Sequence, residues 1–179
     1  MDVEQRPGVR RDPGLALLAL YDEALPEVYG YLLSRCGQRT LAEDLTEETF
    51  VAALDACRTP SPPSLSVAWL IGVARHKLVD HWRRMAREQR GLRIVAGGLT
   101  EPEDPWDERL DAMLARQVLD TLGAHHKAVL TLRYLDGLPV ADVARCLDRT
   151  LHATEALLVR ARSAFRKSYV EHHGTEDTS

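Results

Sequence analysis

A break in the middle of the chain constrains its fold more than any other feature. Between Ala96 and Asp111 stand Gly97, Gly98, Pro102 and Pro105, and the six acids Glu101, Glu103, Asp104, Asp107, Glu108 and Asp111 face the single Arg109. Glycine and proline at this density interrupt any helix or strand, and a block of like charge repels itself. The stretch 95–111 therefore reads as a flexible acidic linker between two blocks of patterned sequence. The whole chain has 179 residues, so each block is close to the size at which a single core is only marginally stable. A partner is expected to supply part of the stability.

Both blocks carry helical periodicity. Leu15, Leu18, Leu25, Val28, Tyr29, Leu32 and Leu33 recur at three- and four-residue steps, as in a helix or a helix pair broken near Pro26. Thr40 and Glu43 have the spacing of a capping box and open a second helix, with Leu41, Leu45, Thr49, Ala52 and Ala53 inward, ending near Arg58. Pro60, Pro62 and Pro63 then exclude helix and central strand over Thr59–Ser64, because each removes a backbone donor and fixes φ. A third helix from about Ser66 buries Val67, Leu70, Ile71, Ala74, Leu78 and Trp82, and turns His76, Lys77, Asp80, Arg83, Arg84 and Arg87 outward.

Beyond the linker, Leu110, Leu114, Val118, Leu119 and Leu122 continue through Ala128, Val129, Leu132 and Tyr134 to a stop at Asp136-Gly137. A short helix has Pro139 in its first turn and Val140, Val143, Ala144 and Leu147 inward. Asp148-Arg149-Thr150 separates it from a last helix, N-capped by Thr150 and running to about Tyr169, with Leu151, Leu158, Ala161 and Phe165 inward. No stretch alternates like a strand. The reading is all-α: two small helical domains, 15–94 and 112–170, with flexible ends at 1–14 and 171–179.

Composition narrows the function. Lys plus Arg is 23 and Asp plus Glu 27, a net −4 that excludes a free-standing basic nucleic-acid binder, so any DNA contact must be local. The three cysteines, Cys36, Cys57 and Cys146, lack zinc-knuckle spacing and suit no disulfide framework, which fits a cytoplasmic protein. No apolar run reaches the roughly 18 residues of a membrane span, and Met1–Gly14 lacks a signal peptide's apolar core, so no membrane insertion is expected.

Three features carry chemistry. The last two helices have the lengths and tight turn of a helix-turn-helix, although an ordinary helical hairpin has them too. Arg160, Arg162, Arg166 and Lys167, with no acid among them, suit phosphates beside a groove. The third helix carries Arg75, Lys77, Arg83, Arg84, Arg87, Arg90 and Arg93 beside Trp69, His76 and Trp82; this is either a solvated face or the mixture of cations and stacking rings that binds single strands. Asp44, Glu47 and Glu48 share one face of the second helix, either for solubility or for a basic protein partner. His76, Asp80 and His81 do not complete a metal site, and no nucleophile elbow or Walker loop is present, so no metal, cofactor or catalytic residue is expected.

Leu41-Ala-Glu-Asp-Leu-Thr-Glu-Glu-Thr-Phe-Val-Ala-Ala-Leu54 and Ala68-Trp-Leu-Ile-Gly-Val-Ala-Arg-His-Lys-Leu-Val-Asp-His-Trp-Arg-Arg84 resemble region 2 of the bacterial extracytoplasmic-function (ECF) sigma factors. Leu130-Thr-Leu-Arg-Tyr-Leu-Asp-Gly-Leu138, Val143–Leu147 and the last helix resemble their region 4. The resemblance covers about residues 15–169. It implies a factor that binds RNA polymerase core, at the beta-prime clamp and the beta flap, and directs it to promoter DNA, with an anti-sigma factor as a further partner.

By the same resemblance, Asp44, Glu47, Glu48 and Phe50 bind polymerase. Pro60, Ser61, Ser64, Ser66, Trp69, His76, Lys77, Asp80, Arg83 and Arg84 handle the minus-ten element. Thr150, His152, Ala153, Glu155, Ala156, Arg160 and Arg162 read the minus-thirty-five element. Two departures stand out. His76 replaces the family's usual Asn, and Glu155-Ala156-Leu157 replaces a usual Lys-Ser-Arg, which removes two cations from the surface expected to face the groove. Glutamate can accept from cytosine N4 and alanine can touch a thymine methyl, so base reading without cations remains available. The linker, extended, reaches roughly 50–70 Å, more than one DNA turn of about 34 Å. The competing expectation is a stand-alone helix-turn-helix regulator whose first domain senses a ligand or dimerises.

Overall fold

The computed structural model describes residues 12–92 and 112–176. All regular structure among them is helical, as expected: α1 (Pro13–Cys36), α2 (Arg39–Cys57), α3 (Val67–Leu92), α4 (Ala112–Thr121), α5 (Ala124–Leu130) continued by a π-turn (Thr131–Leu135), α6 (Val140–Leu147) and α7 (Leu151–Glu176). The expected acidic linker 95–111 lies outside the described residues. The chain divides into two compact units, Met1–Ser34 with Gln38–Lys77 and Arg35–Gly37 with Leu78–Ser179.

In the first unit, α1 is one helix and not a pair. Asp12 caps it, its Oδ1 accepting from the Gly14 amide at 2.8 Å, and Pro13 takes the first helical position, where its missing N–H costs nothing. Pro26 sits inside the helix without ending it. Both Pro26 and Asp22, whose carbonyl loses its partner, occupy exposed positions where water can replace the bond. The buried stripe is Leu17, Ala24, Val28 and Leu32, whereas Leu15 and Leu18 are 64% and 68% exposed. The expected stripe is therefore in register only from Val28 onward.

The expected capping box of α2 is not formed. Gln38 is the N-cap, its carbonyl accepting from Ala42 at 3.0 Å, and Thr40 already lies inside the helix. Only Gly37, at φ +73°, and Gln38 separate α1 from α2, so the new helix has to start before Thr40. Ala42, Leu45, Thr46, Thr49 and Ala53 are buried, and the helix stops at Cys57 as expected. Ser66 caps α3, its Oγ accepting from the Trp69 amide at 3.1 Å. Leu70, Ala74, Leu78, Val79, Trp82 and Ala86 form the buried face of α3.

In the second unit, the helix expected to run unbroken from Leu110 to Tyr134 is divided at Leu122-Gly123. Every residue from Lys127 to Leu132 is buried, so α5 and the start of the π-turn form the centre of this unit, and α7 packs across α4, α5 and α6. Lys127 tolerates burial because its ammonium pairs with Asp120. The π-turn closes through Asp136 N–H donating to Thr131 O at 3.0 Å, and Gly137 at φ +66° ends it, as expected of that glycine.

Pro139 is the N-cap of α6 and lies just before its first turn. After α6, Asp148 adopts the left-handed conformation (φ 52°, ψ 52°) that turns the chain toward α7, a conformation aspartate takes more readily than most residues. Thr150 caps α7, its Oγ1 accepting from Ala153 at 3.2 Å. The helix runs to Glu176, past the expected end near Tyr169, so 171–176 of the expected flexible tail are helical. No helix among the described residues is long and apolar enough to cross a membrane.

Candidate nucleic-acid interface

Helical spacing puts Asp44, Glu47 and Glu48 outward on α2 because Leu45, Thr46 and Thr49 take the inward positions, and the three carboxylates are exposed together as expected. The buried Thr46 and Thr49 hydroxyls donate to carbonyls one turn back, at 2.6 Å each, so the apolar side of α2 carries no unpaired hydroxyl there. Phe50 is half-buried, its ring 4.9 Å from that of Tyr21. The α2 face is therefore acidic along one edge, with an aromatic pair at its side.

Of the loop residues, Pro60, Ser61 and Ser64 are exposed, and the Ser66 hydroxyl is engaged in capping. On α3, His76 is exposed, Trp69 is half-buried, and Lys77 lies 3.7 Å from the Glu48 carboxylate. Farther along the same helix, Asp80 and Arg84 are exposed, while Arg83 Nη1 donates to Asp80 at 3.4 Å across one helical turn. Trp82 is buried, as expected of the inward face of α3, in the stripe with Leu78 and Ala86, so of the two readings of this ring the core one holds. Among the described residues no group of three or more His, Cys, Asp and Glu side chains is arranged to hold a metal ion.

The last two helices form a helix-turn-helix. On α7 the inward residues are Thr154, Leu157, Leu158, Ala161 and Phe165. His152 and Glu155 are exposed, and Ala153 and Ala156 are half-buried. Leu157 is thus a core residue, and the loss of a cation there removes nothing from an outer face. Leu151, expected in the core, is 50% exposed. A side chain in the first helical position leans back over the turn before it, beyond the packed part of the helix. Its spacing from Thr154 and Leu158 is a misleading signal, since periodicity does not register where a helix begins.

Farther along, Arg160, Arg166 and Lys167 are exposed and Arg162 is half-buried. Arg160 Nε donates to Ala156 O at 3.2 Å, which lays the guanidinium along the helix. Beside it, His126 of α5 is held below its ordinary pKa, first by burial and then by the positive charge of Arg160. Sequence reasoning did not mark His126, because only the fold brings it near Arg160.

These features define an all-helical protein with a helix-turn-helix and a separate acidic helix face. Residues 20–88 match the model of Sigma-70 region 2, and residues 112–165 that of Sigma-70 region 4. ECF RNA polymerase sigma factor SigL of Mycobacterium tuberculosis is 33% identical over 161 residues, covering 86% of this chain and 88% of that protein. RNA polymerase sigma factor YlaC of Bacillus subtilis is 29% identical, covering 83% and 89%. ECF RNA polymerase sigma factor BldN of Streptomyces coelicolor is 32% identical over 79% of this chain but only 56% of its own length, so the chain spans a little over half of that relative. The solved structure of sigma factor RpoE from Bartonella quintana, in complex with the anti-sigma factor NepR, shares the fold at TM-score 0.51 and 19% identity, over 86% of this chain and 96% of that one. The chain belongs to the ECF group of the sigma-70 family.

Proposed function

We propose that this chain is the promoter-specificity subunit of a bacterial RNA polymerase, with the work divided among three surfaces. Asp44, Glu47 and Glu48 on α2, with Phe50 beside them, dock on a basic surface of the polymerase core at the beta-prime clamp. Charge complementarity on an exposed face sets encounter rate and register more than raw affinity. The loop with Pro60, Ser61, Ser64 and Ser66, together with Trp69, His76, Lys77, Asp80, Arg83 and Arg84 on α3, takes the opened minus-ten element. There an exposed imidazole and cations can meet unstacked bases and phosphates. The helix-turn-helix reads the minus-thirty-five duplex: Thr150, His152, Ala153, Glu155 and Ala156 point toward base edges, and Arg160 and Arg162 toward phosphates.

The single observation that carries this reading is the capped start of α7. Thr150 fixes the first turn, Leu157 and Leu158 hold the inner side, and His152 and Glu155 remain exposed. The beta flap is the polymerase partner for region 4, and an anti-sigma factor is a further partner. The factor acts in the cytoplasm and catalyses nothing itself, since RNA synthesis belongs to the core. The net charge of −4 fits a protein that holds DNA only when the core supplies most phosphate contacts. The test is a duplex shift with and without core polymerase. The proposal expects the chain to co-elute with core and to retain promoter duplex only in that complex. Tight retention by the chain alone would favour the stand-alone regulator.

A further inference from the structure

We propose that Leu151 is a specificity-determining residue of this factor, whose isobutyl group packs on the C5 methyl of a thymine in the upstream promoter element. The inference rests on α7 being the recognition helix and adds a residue to that surface.

Leu151 opens α7, and its side chain is 50% exposed although leucine gains by burial. The inner side of the helix is already filled by Thr154, Leu157, Leu158 and Ala161, all buried. Leu151 and Glu155 stand at i and i+4, the spacing of one helix face, and both are exposed. The first turn is held firmly: Thr150 Oγ1 accepts from Ala153, Thr150 O accepts from the Thr154 amide at 3.0 Å, and the Thr154 hydroxyl donates to the same carbonyl at 3.0 Å. An exposed leucine on a fixed backbone is a preorganised apolar contact, not a frayed end.

Charge indicates what covers it. Residues 151–159 contain no Lys or Arg, whereas Arg160, Arg166 and Lys167 farther along α7 are exposed cations suited to phosphates. A helix anchored on the backbone by its later turns presents its first turn to the groove floor. The apolar feature that the major groove offers is the thymine methyl.

The test uses holoenzyme, assembled from core polymerase and the chain, on a promoter whose upstream element has been selected by that holoenzyme. Each thymine of the element is replaced in turn by deoxyuridine, which lacks only the methyl. The parent should lose about fourfold in affinity at one thymine, the worth of one methyl taken out of water. Leu151→Ala should show a similar loss on the unmodified promoter, no response to deoxyuridine at that position, and an unchanged melting temperature; Leu151→Met should recover the response. Undiminished thymine sensitivity of Leu151→Ala at every position overturns the proposal, as does a parent indifferent to every methyl. A holoenzyme equally indifferent to a scrambled upstream element would instead overturn the assignment of α7 as the recognition helix.

Discussion

Lys77 Nζ lies 3.7 Å from the Glu48 carboxylate, so the acidic edge of α2 and the basic run of α3 meet in one ion pair. Both side chains are partly exposed, at 32% and 46%, and a pair in that setting contributes under about 1 kcal/mol to stability. A double-mutant cycle with Glu48→Gln and Lys77→Met, followed by urea unfolding, should give a coupling energy below that value. Core binding should respond far more strongly to the free carboxylates. Asp44→Lys combined with Glu47→Lys should lower affinity for core polymerase by about tenfold or more at low salt, roughly 1.4 kcal/mol, while leaving the helical circular dichroism spectrum intact. Unchanged affinity would remove the α2 face from the polymerase interface.

Salt dependence separates phosphate ligands on α3 from solvated cations. Arg84 is exposed, and Arg83 has to leave Asp80 to reach a phosphate. Replacing both by alanine should flatten the dependence of open-complex formation on log salt by about 0.7 to 0.9 for each phosphate that is no longer neutralised. An identical slope in parent and variant would assign both arginines to solvent.

A pH effect follows from His126. Its folded-state pKa is lowered by burial and by Arg160, whereas in the unfolded chain it titrates near about 6.5. The unfolded state therefore binds more protons just below that value, so the contribution of His126 is fully present above about pH 6.5 and is lost as pH falls through the window beneath it. Thermal melts of His126→Gln should lose less stability than the parent between neutral pH and pH 5.5. Parallel pH profiles for the two proteins would contradict the assignment.

The Thr131 hydroxyl, at the start of the π-turn, is buried and has no hydrogen-bond partner among the described residues. An unpaired buried hydroxyl is a cost that an isosteric methyl removes. Thr131→Val should be as stable as the parent or more stable, by up to about 1 kcal/mol, in urea unfolding. A clear loss of stability would show that the hydroxyl is bonded in solution.

Much of this organisation was legible because helical burial repeats at a regular spacing. The buried faces of α3 and α6, the proline loop, the Gly137 stop and the Thr150 cap followed from side-chain chemistry within a few residues. The misread positions share one cause: they depend on where a helix starts or what it packs against. Leu15, Leu18 and Leu151 satisfy the periodicity, yet Leu15 and Leu151 lie in first turns and Leu18 stands beside Leu17, which takes the inward position instead. Thr40 and Glu43 have capping spacing, but a two-residue connection had already started the helix. Leu157 reads outward because a cation usual at that position is lost, and burial decides otherwise. The functional surfaces were legible only through the ordered motifs, because an exposed acidic face or a basic run has no unique partner.

Promoter selection by this chain can be read from transcription with purified core polymerase on a fragment library of the source genome, with the 5′ ends of the transcripts sequenced. Adding the chain should produce a limited set of start sites sharing two sequence elements upstream, none of which core alone produces. Start sites identical with and without the chain, alongside tight binding of duplex by the chain alone, would show a stand-alone regulator and not a promoter-specificity subunit.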